Sequence, residues 1–453
     1  MHINQKRSRN AANCRCDKLK GEIIMKTKKI TSILLASALS VGCAFAMTAC
    51  DDSSSAGNDS ALLDEIAKLE QQLSDVQKDL SDLKKANETP AEDTVWNFGA
   101  ESYEKLKYID AGLSDRDCFD GKHFKYTQNW ISYTLKNAGY TNDDISYQDV
   151  AISTRSTYAL KGLKQSALNK LYPAAASVQY SDDGKSYEQQ ENSWGGYKYV
   201  ESETGSYAKV NVISQNIEVT KQGKSNKQII VGMHYDGTGT GDNGSGIALG
   251  LTTAEKFHDV ETQFTIKFVF FTAEEYGLYG SSAYAAGMTE EDKANTLYMI
   301  NIDSIVCGDY CYLYGGVQND EAKTVTKTEA YDNASAVAKS LGLEFKTNPW
   351  TWDNPSPDDE GGDPSYASPS TGDWSDHAPF VNAGVTYLYF EATNWEIPDY
   401  TGYGESSIVG MLMNTKNDYL EFIETYYPGR PLKHLTQFSS LLNALLTQTS
   451  WNY

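Results

Sequence analysis

The chain has 453 residues, is 40% hydrophobic and 12% aromatic with Tyr dominating, and carries a formal net charge of -22. That length accommodates one large α/β domain with appendages. The acidic balance argues against nucleic acid and anionic lipid as partners, and favours metal cations or cationic groups as ligands.

Residues 1–24 are basic and polar with no core pattern. Met25, the expected start of translation, opens a short cationic stretch that leads into an apolar run from Ile30 to Ala49. A positive start, a short apolar centre and small residues describe a secretory signal. The run closes on Met47-Thr48-Ala49-Cys50, followed by Asp51, Asp52 and serines. This resembles a bacterial lipoprotein box with Cys50 as the lipidated residue, so residues 1–50 are read as a leader and lipoprotein-type signal peptide. The protein is expected to be exported and held at the cell surface by that anchor. Ordinary cleavage after Ala46, giving a secreted protein, is the alternative. A transmembrane anchor is disfavoured by the Ser, Gly, Cys and Thr that interrupt the run.

Residues 51–58 read as a flexible linker. Leu62, Ile66, Leu69, Leu73, Val76, Leu80 and Leu83 then alternate spacings of four and three, which predicts a coiled-coil stalk over 59–90 of about three heptads. Pro90 ends it. Such a helix is a spacer of roughly 40 Å and, through residues 59–87, a candidate for homo-oligomerisation.

The body is placed at 94–453. Tyr126, Trp130, Ile131, Tyr133 and Leu135 recur at helical spacing before a stop at Gly139. Residues 208–219 alternate as a strand. Ile229 to Met233 is an apolar run that ends in His234-Tyr235-Asp236, and a glycine-rich turn then carries Asp242-Asn243 into a helix over 247–258. A second buried strand, 264–275, ends in Glu274-Glu275. A third, 297–305, carries Asp303, and 312–316 is a fourth. A helix over 330–342 precedes an acidic, Trp- and Pro-rich loop at 347–373, which is either a substrate lid or a packed surface loop. Asp353, Asp358, Asp359, Glu360 and Asp363 of that loop would suit a cationic substrate group if it lined the mouth of a site. Asp376 and His377 stand before a last strand at 385–392, and an amphipathic helix spans 432–447. Strands alternating with helices predict an α/β three-layer sandwich with a mixed, mostly parallel central sheet, preceded by the N-terminal coiled-coil helix. Seven cysteines form no disulfide framework at this length. Cys307 and Cys311 are either a hairpin-spanning disulfide or two free thiols.

Chemistry gathers at the strand ends, where ligands sit in open α/β sheets. His234 and Asp242 follow the first strand, Glu274 and Glu275 the second and Asp303 the third, while His377 precedes the last. Carboxylates and imidazoles clustered in this way need a cation, and the donor types suit Zn2+. Two metals sharing one carboxylate fit the count, with Glu274 left over as a general base.

The segments 234–236, 241–246, 271–281, 301–303 and 375–380 resemble the co-catalytic zinc exopeptidases of metallopeptidase family 28, a likeness covering roughly residues 105–425. The resemblance implies that His234 and Asp303 hold one zinc, Glu275 and His377 the other, and that Asp242 bridges them. It makes Glu274 the proton shuttle and Asp236, with Asp376, supporting residues behind the metal ligands. It also implies a cis peptide bond at Asp242-Asn243. The expected activity is removal of N-terminal residues from peptides. A carboxypeptidase, a glutaminyl cyclase-like acyltransferase, and a non-catalytic binding lipoprotein are the competing readings.

Overall fold

The computed structural model describes residues 96–451, with gaps at 120, 358, 360–362 and 398–404 and several short ones between 153 and 206. The leader, the linker and the coiled-coil stalk lie outside the described residues. Residues 93–453 form one compact unit.

The centre of that unit is a sheet whose strand order runs β10 (Tyr310–Tyr314), β13 (Tyr387–Thr393), β9 (Thr296–Ile302), β7 (Ser225–His234), β8 (Phe264–Phe271), then β6 (Tyr207–Lys221). Beyond β6 come β4 (Tyr187–Glu191) and β5 (Tyr197–Glu201), while β1 (Ile145–Ile152), β2 (Ser156–Tyr158) and β3 (Ser177–Ser181) also pair with β6. The four inner strands β13, β9, β7 and β8 are parallel. Both flanks are antiparallel, through β10 on one side and β6 on the other. The sheet is therefore mixed as expected, with its parallel part confined to the core. A two-stranded ribbon, β11 (Val317–Asn319) with β12 (Thr324–Thr326), stands apart.

Continuous apolar runs form these inner strands because both faces are covered. Ile229, Val231 and Met233 of β7 join Ile266, Phe268 and Phe270 of β8 in one cluster, while Ile230, Val269 and Phe271 belong to another. The first face is covered by helices α1 (Gly99–Gly112), α2 (Phe124–Ala138), α3 (Gly244–Phe257), α6 (Glu329–Ser340) and α9 (Arg430–Leu446). The second face is covered by α4 (Tyr279–Gly287) and α7 (Ala378–Asn382), whose Ala285 and Phe380 meet Ile230, Phe271 and Met299. Two short helices, α5 (Glu290–Asn295) and α8 (Leu420–Tyr426), complete the set among the described residues. The three layers leave the carboxyl ends of β7, β8 and β9 side by side, which positions the site.

Candidate metal centre

Each strand end turns sharply as it leaves the sheet. After His234 the Tyr235 amide still donates to the Phe271 carbonyl at 2.9 Å. Gly237 then takes φ 97°, a left-handed conformation that costs glycine nothing, and a Cβ there would run into Glu275 Oε1. Ala273 and Ser304, the neighbours of Glu274 and Asp303, also have left-handed backbone, at φ 54° and 53°. Non-glycine residues seldom adopt it, and such positions cluster at functional sites.

The turn between β7 and α3 is fixed from several sides. The Asn243 side chain caps α3 by accepting from the Gly246 amide at 2.9 Å and donates to the Ile302 carbonyl at 2.8 Å. Asp418, from the segment before α8, accepts from the Gly241 amide at 2.6 Å and the Asp242 amide at 3.0 Å. Arg116, fully buried, donates to the carbonyls of Tyr235 (3.2 Å), Leu113 (2.9 Å) and Gly239 (2.7 Å). The Asp242–Asn243 peptide is cis, as the resemblance implied.

These turns bring His234, Asp242, Glu274 and Asp303 together. His234 Nε2 lies 3.1 Å from Asp242 Oδ1, 3.3 Å from Asp303 Oδ1 and 4.0 Å from Glu274 Oε2. Ser375 donates to Asp303 Oδ2 at 2.7 Å. On the far side of the imidazole, Asp236 Oδ1 lies 3.6 Å from His234 Nδ1, too long for a hydrogen bond, and accepts from the Glu274 amide at 3.1 Å. A cavity of about 200 Å³ opens over the group, lined by Asp242, Glu274, Glu275, Asp303, Ser304, Trp374, Tyr389, Glu391, Met413 and Asn414.

His377 stacks on Tyr389, a residue of the cavity wall, and both its ring nitrogens are without a hydrogen-bond partner. Its ring is buried against Tyr387 and Tyr389, with centroids 4.6 and 5.0 Å away. Burial holds its pKa down to about 4. The side chain that stands beside Asp242 is Asn414, whose Nδ2 donates to Asp242 Oδ2 at 3.0 Å. Asp376 is fully buried, and burial raises its carboxyl to about 7. Among the described residues of the acidic loop none lines the cavity: Asp363 pairs with Lys323 at 2.9 Å, and Asp359 accepts from the Ser356 and Ser365 amides, while Asp358 and Glu360 lie outside the described residues. The loop packs instead on an aromatic cluster in which Trp350, Tyr366 and Trp374 surround Trp395. Cys307 and Cys311 are free thiols and form no disulfide with each other.

The electrostatics call for a cation. Burial raises Glu274 well above the usual carboxylate range, helped by Asp303, Asp376 and Glu275. Burial likewise raises Asp242, with Asp303 adding to it. Burial alone would raise Asp303 too, but His234 and two serine hydroxyls bring it below its ordinary value. Burial works against a charged His234, yet Asp303 and Glu274 pull it up. Several buried polar atoms here have no hydrogen-bond partner, among them His234 Nδ1, Asp236 Oδ2 and Asp242 Oδ1. Orphaned buried groups of this kind are costly, and one imidazole among carboxylates is a donor set that fits Zn2+. His234, Glu274 and Asp303 alone place three ligand atoms within 4.8 Å of one another.

Sequence reasoning missed Arg116, Glu391, Asn414 and Asp418. Glu391 had a readable signal, an acid inside the otherwise apolar strand β13. The other three lie in polar loops and carried none.

Fold and site together define an α/β protein with a cation-binding cleft at the carboxyl ends of its parallel strands. Residues 216–405 match the model of peptidase family M28. It is 31% identical over 212 residues to the alkaline phosphatase isozyme conversion protein of Escherichia coli (strain K12), covering 43% of this chain and 57% of that protein. It is 28% identical over 189 residues to aminopeptidase YwaD of Bacillus subtilis (strain 168), covering 40% of this chain and 36% of that protein. The chain thus spans little more than half the length of the first relative and about a third of the second. A solved zinc aminopeptidase from Bacillus subtilis shares the fold, with a TM-score of 0.51 at 17% identity over 79% of this chain and 97% of that one.

Proposed function

We propose that this protein is a zinc-dependent exopeptidase that removes N-terminal residues from peptides, exported and anchored at the cell surface through Cys50. The convergence of His234, Asp242, Glu274 and Asp303 in one cleft of a chain that matches the family M28 model carries the reading. The aminopeptidase name of the Bacillus relative supports it.

In this reading His234 and Asp303 would hold one zinc, Glu275 and His377 the other, and Asp242 would be shared. Zinc, when bound, supplies Lewis acidity towards a carbonyl and lowers the pKa of water. Glu274 accepts the proton of the attacking water and delivers it to the leaving amine. Asp236 holds the Glu274 amide in place and keeps His234 Nδ1 facing a carboxylate.

Two features favour an exopeptidase acting at the amino end. A cavity of about 200 Å³ walled by Trp374 and Tyr389 has room for one terminal residue rather than a chain running through. No Lys or Arg is among its lining residues, while Glu391 is. A substrate ammonium is attracted there and a terminal carboxylate repelled.

The test is digestion of a defined peptide mixture by the zinc-loaded protein, followed by mass spectrometry. Residues should leave from the amino end, and N-acetylated copies should survive. Loss from the carboxyl end would reverse the assigned direction, and no cleavage of any peptide would refute the activity.

A further inference from the structure

The second face of the sheet is not apolar throughout. Lys267 interrupts the apolar run of β8 and is the one half-buried residue of that strand. An ammonium set into a strand covered on both faces is costly unless something answers it. Beside it stand Asn216 and Glu218 of β6, with Gln148 of β1 paired to Asn216, and Gln228 of β7. Together with Tyr284 of α4, Met288 and Asp292 of α5, they line a cavity of about 210 Å³. It shares no lining residue with the cleft over the metal centre.

The walls of this cavity are tied in place. Tyr284 donates to Glu218 Oε2 at 2.6 Å and Thr220 to Oε1 at 3.0 Å. Asn216 Nδ2 donates to Gln148 Oε1 at 2.9 Å and to the Gly280 carbonyl at 2.8 Å. Gln228 Nε2 donates to Thr296 Oγ1 at 2.9 Å. The Thr289 amide and hydroxyl both donate to Asp292 Oδ2, at 3.0 and 2.6 Å. Lys267 differs. Its Nζ lies 3.6 Å from Glu218 Oε1, too far for a hydrogen bond, and it donates none among the described residues although the side chain is only 22% exposed.

We infer that this cavity is a binding site for a free α-amino acid with a small side chain, separate from the catalytic cleft. Lys267 pairs with the ligand carboxylate, and Glu218 with Asp292 takes its ammonium. A ligand carrying one charge answers only one side of this pair and leaves the other desolvated without a partner. A bare metal ion is repelled by Lys267. Met288 and the Tyr284 ring supply apolar contact for a short side chain, and the volume matches one residue rather than a peptide. Release of single residues by an exopeptidase would supply the ligand. That source rests on the proposed function, whereas the site rests on its own geometry.

The experiment is titration calorimetry of the zinc-loaded full chain with L-alanine, beside propionate, which lacks the ammonium, and L-alaninol, which lacks the carboxylate. Alanine should fill an equivalent that Lys267→Met loses and Glu218→Gln binds at least about tenfold more weakly, since each removes one charge partner. Lys267→Met should keep the wild-type kcat/KM on a peptide, and Glu274→Gln should keep that equivalent of alanine. Propionate and alaninol should bind there at least about tenfold more weakly than alanine. Alanine binding unchanged in Lys267→Met, or lost in Glu274→Gln, would place it outside this cavity and overturn the inference. Propionate or alaninol binding as tightly as alanine would overturn the zwitterion. Peptide cleavage is measured on the same samples, so failure of this site and failure of the proposed activity are told apart.

Discussion

Glu274 and Glu275 are adjacent in sequence but differ in surroundings. The Glu274 side chain is only 11% exposed and lies 4.0 Å from His234, whereas Glu275 opens to solvent. If Glu274 is the proton shuttle, Glu274→Gln should lower kcat by about 10²- to 10⁴-fold and leave metal content unchanged by elemental analysis. Near-normal turnover would remove Glu274 from that role. Glu405 offers a second test at this scale. It is fully buried with Oε1 unpartnered, and burial raises its carboxyl to about 9. The folded protein holds a proton that the unfolded chain releases, so this contribution to stability is complete below the unfolded value and is lost as pH rises towards 9. Glu405→Gln should therefore match the wild type in Tm near pH 4.5 and exceed it increasingly towards pH 9, at fixed zinc. An unchanged difference across that range would show that the carboxyl does not titrate as described. His234, Glu274 and Asp303 were legible because each stands at the end of an apolar run, and Asp242 because it lies in the glycine-rich turn that follows one. Asn414 and Asp418 were not, because their contacts with Asp242 and Gly241 close loops of 172 and 177 residues, and no local pattern encodes such a meeting.

Among the elements, the turn from β7 to α3 depends most on its neighbours. A Cβ on Gly241 would fall on Cys307 Sγ and crowd Asp418. Gly241→Ala should push that clamp away from Asp242, costing about 1–3 kcal/mol by overpacking and lowering metal affinity more than the fold requires. Asp418→Asn leaves one acceptor oxygen for two amides, so one bond is lost and the other loses its charge assistance, and it should lower both metal affinity and Tm. Metal affinity equal to the wild type's in both variants would show that the turn holds Asp242 without this support. The inner strands were readable because burial on both faces demands unbroken apolar runs, and α6 and α9 because one face is apolar. Helix α1 was not anticipated. Its sequence offers few apolar residues beyond Tyr103, Leu106 and Ile109, and it is defined by packing Leu106 and Ile109 into the main core. Composition alone does not separate lid from packed surface in the loop at 347–373. Trp350 and Tyr366 settle it onto the aromatic cluster around Trp395, and Trp374, just past its end, reaches the cavity.

At the scale of the whole molecule, the question is what the first 92 residues add to a compact unit at 93–453. That unit contains every residue assigned to the site. If residues 59–90 are a spacer behind a lipid at Cys50, they supply location rather than chemistry. A chain beginning at residue 93 should then keep the wild-type kcat/KM on a soluble peptide and the same metal content. It should also appear in the soluble fraction. Cys50→Ser in the full chain should give the same catalytic constants with release to the medium or an uncleaved precursor. A single lipid chain holds a protein at a membrane only marginally, and stable anchoring takes more than one. The wild type should therefore resist extraction by high salt and alkaline carbonate, and leave the membrane only with detergent. Mature-sized, membrane-bound Cys50→Ser protein would exclude lipidation at that cysteine. A shortened chain with intact metal content but much reduced kcat/KM would show instead that the N-terminal segment takes part in catalysis or assembly, and oligomeric state measured on both forms would separate those two roles.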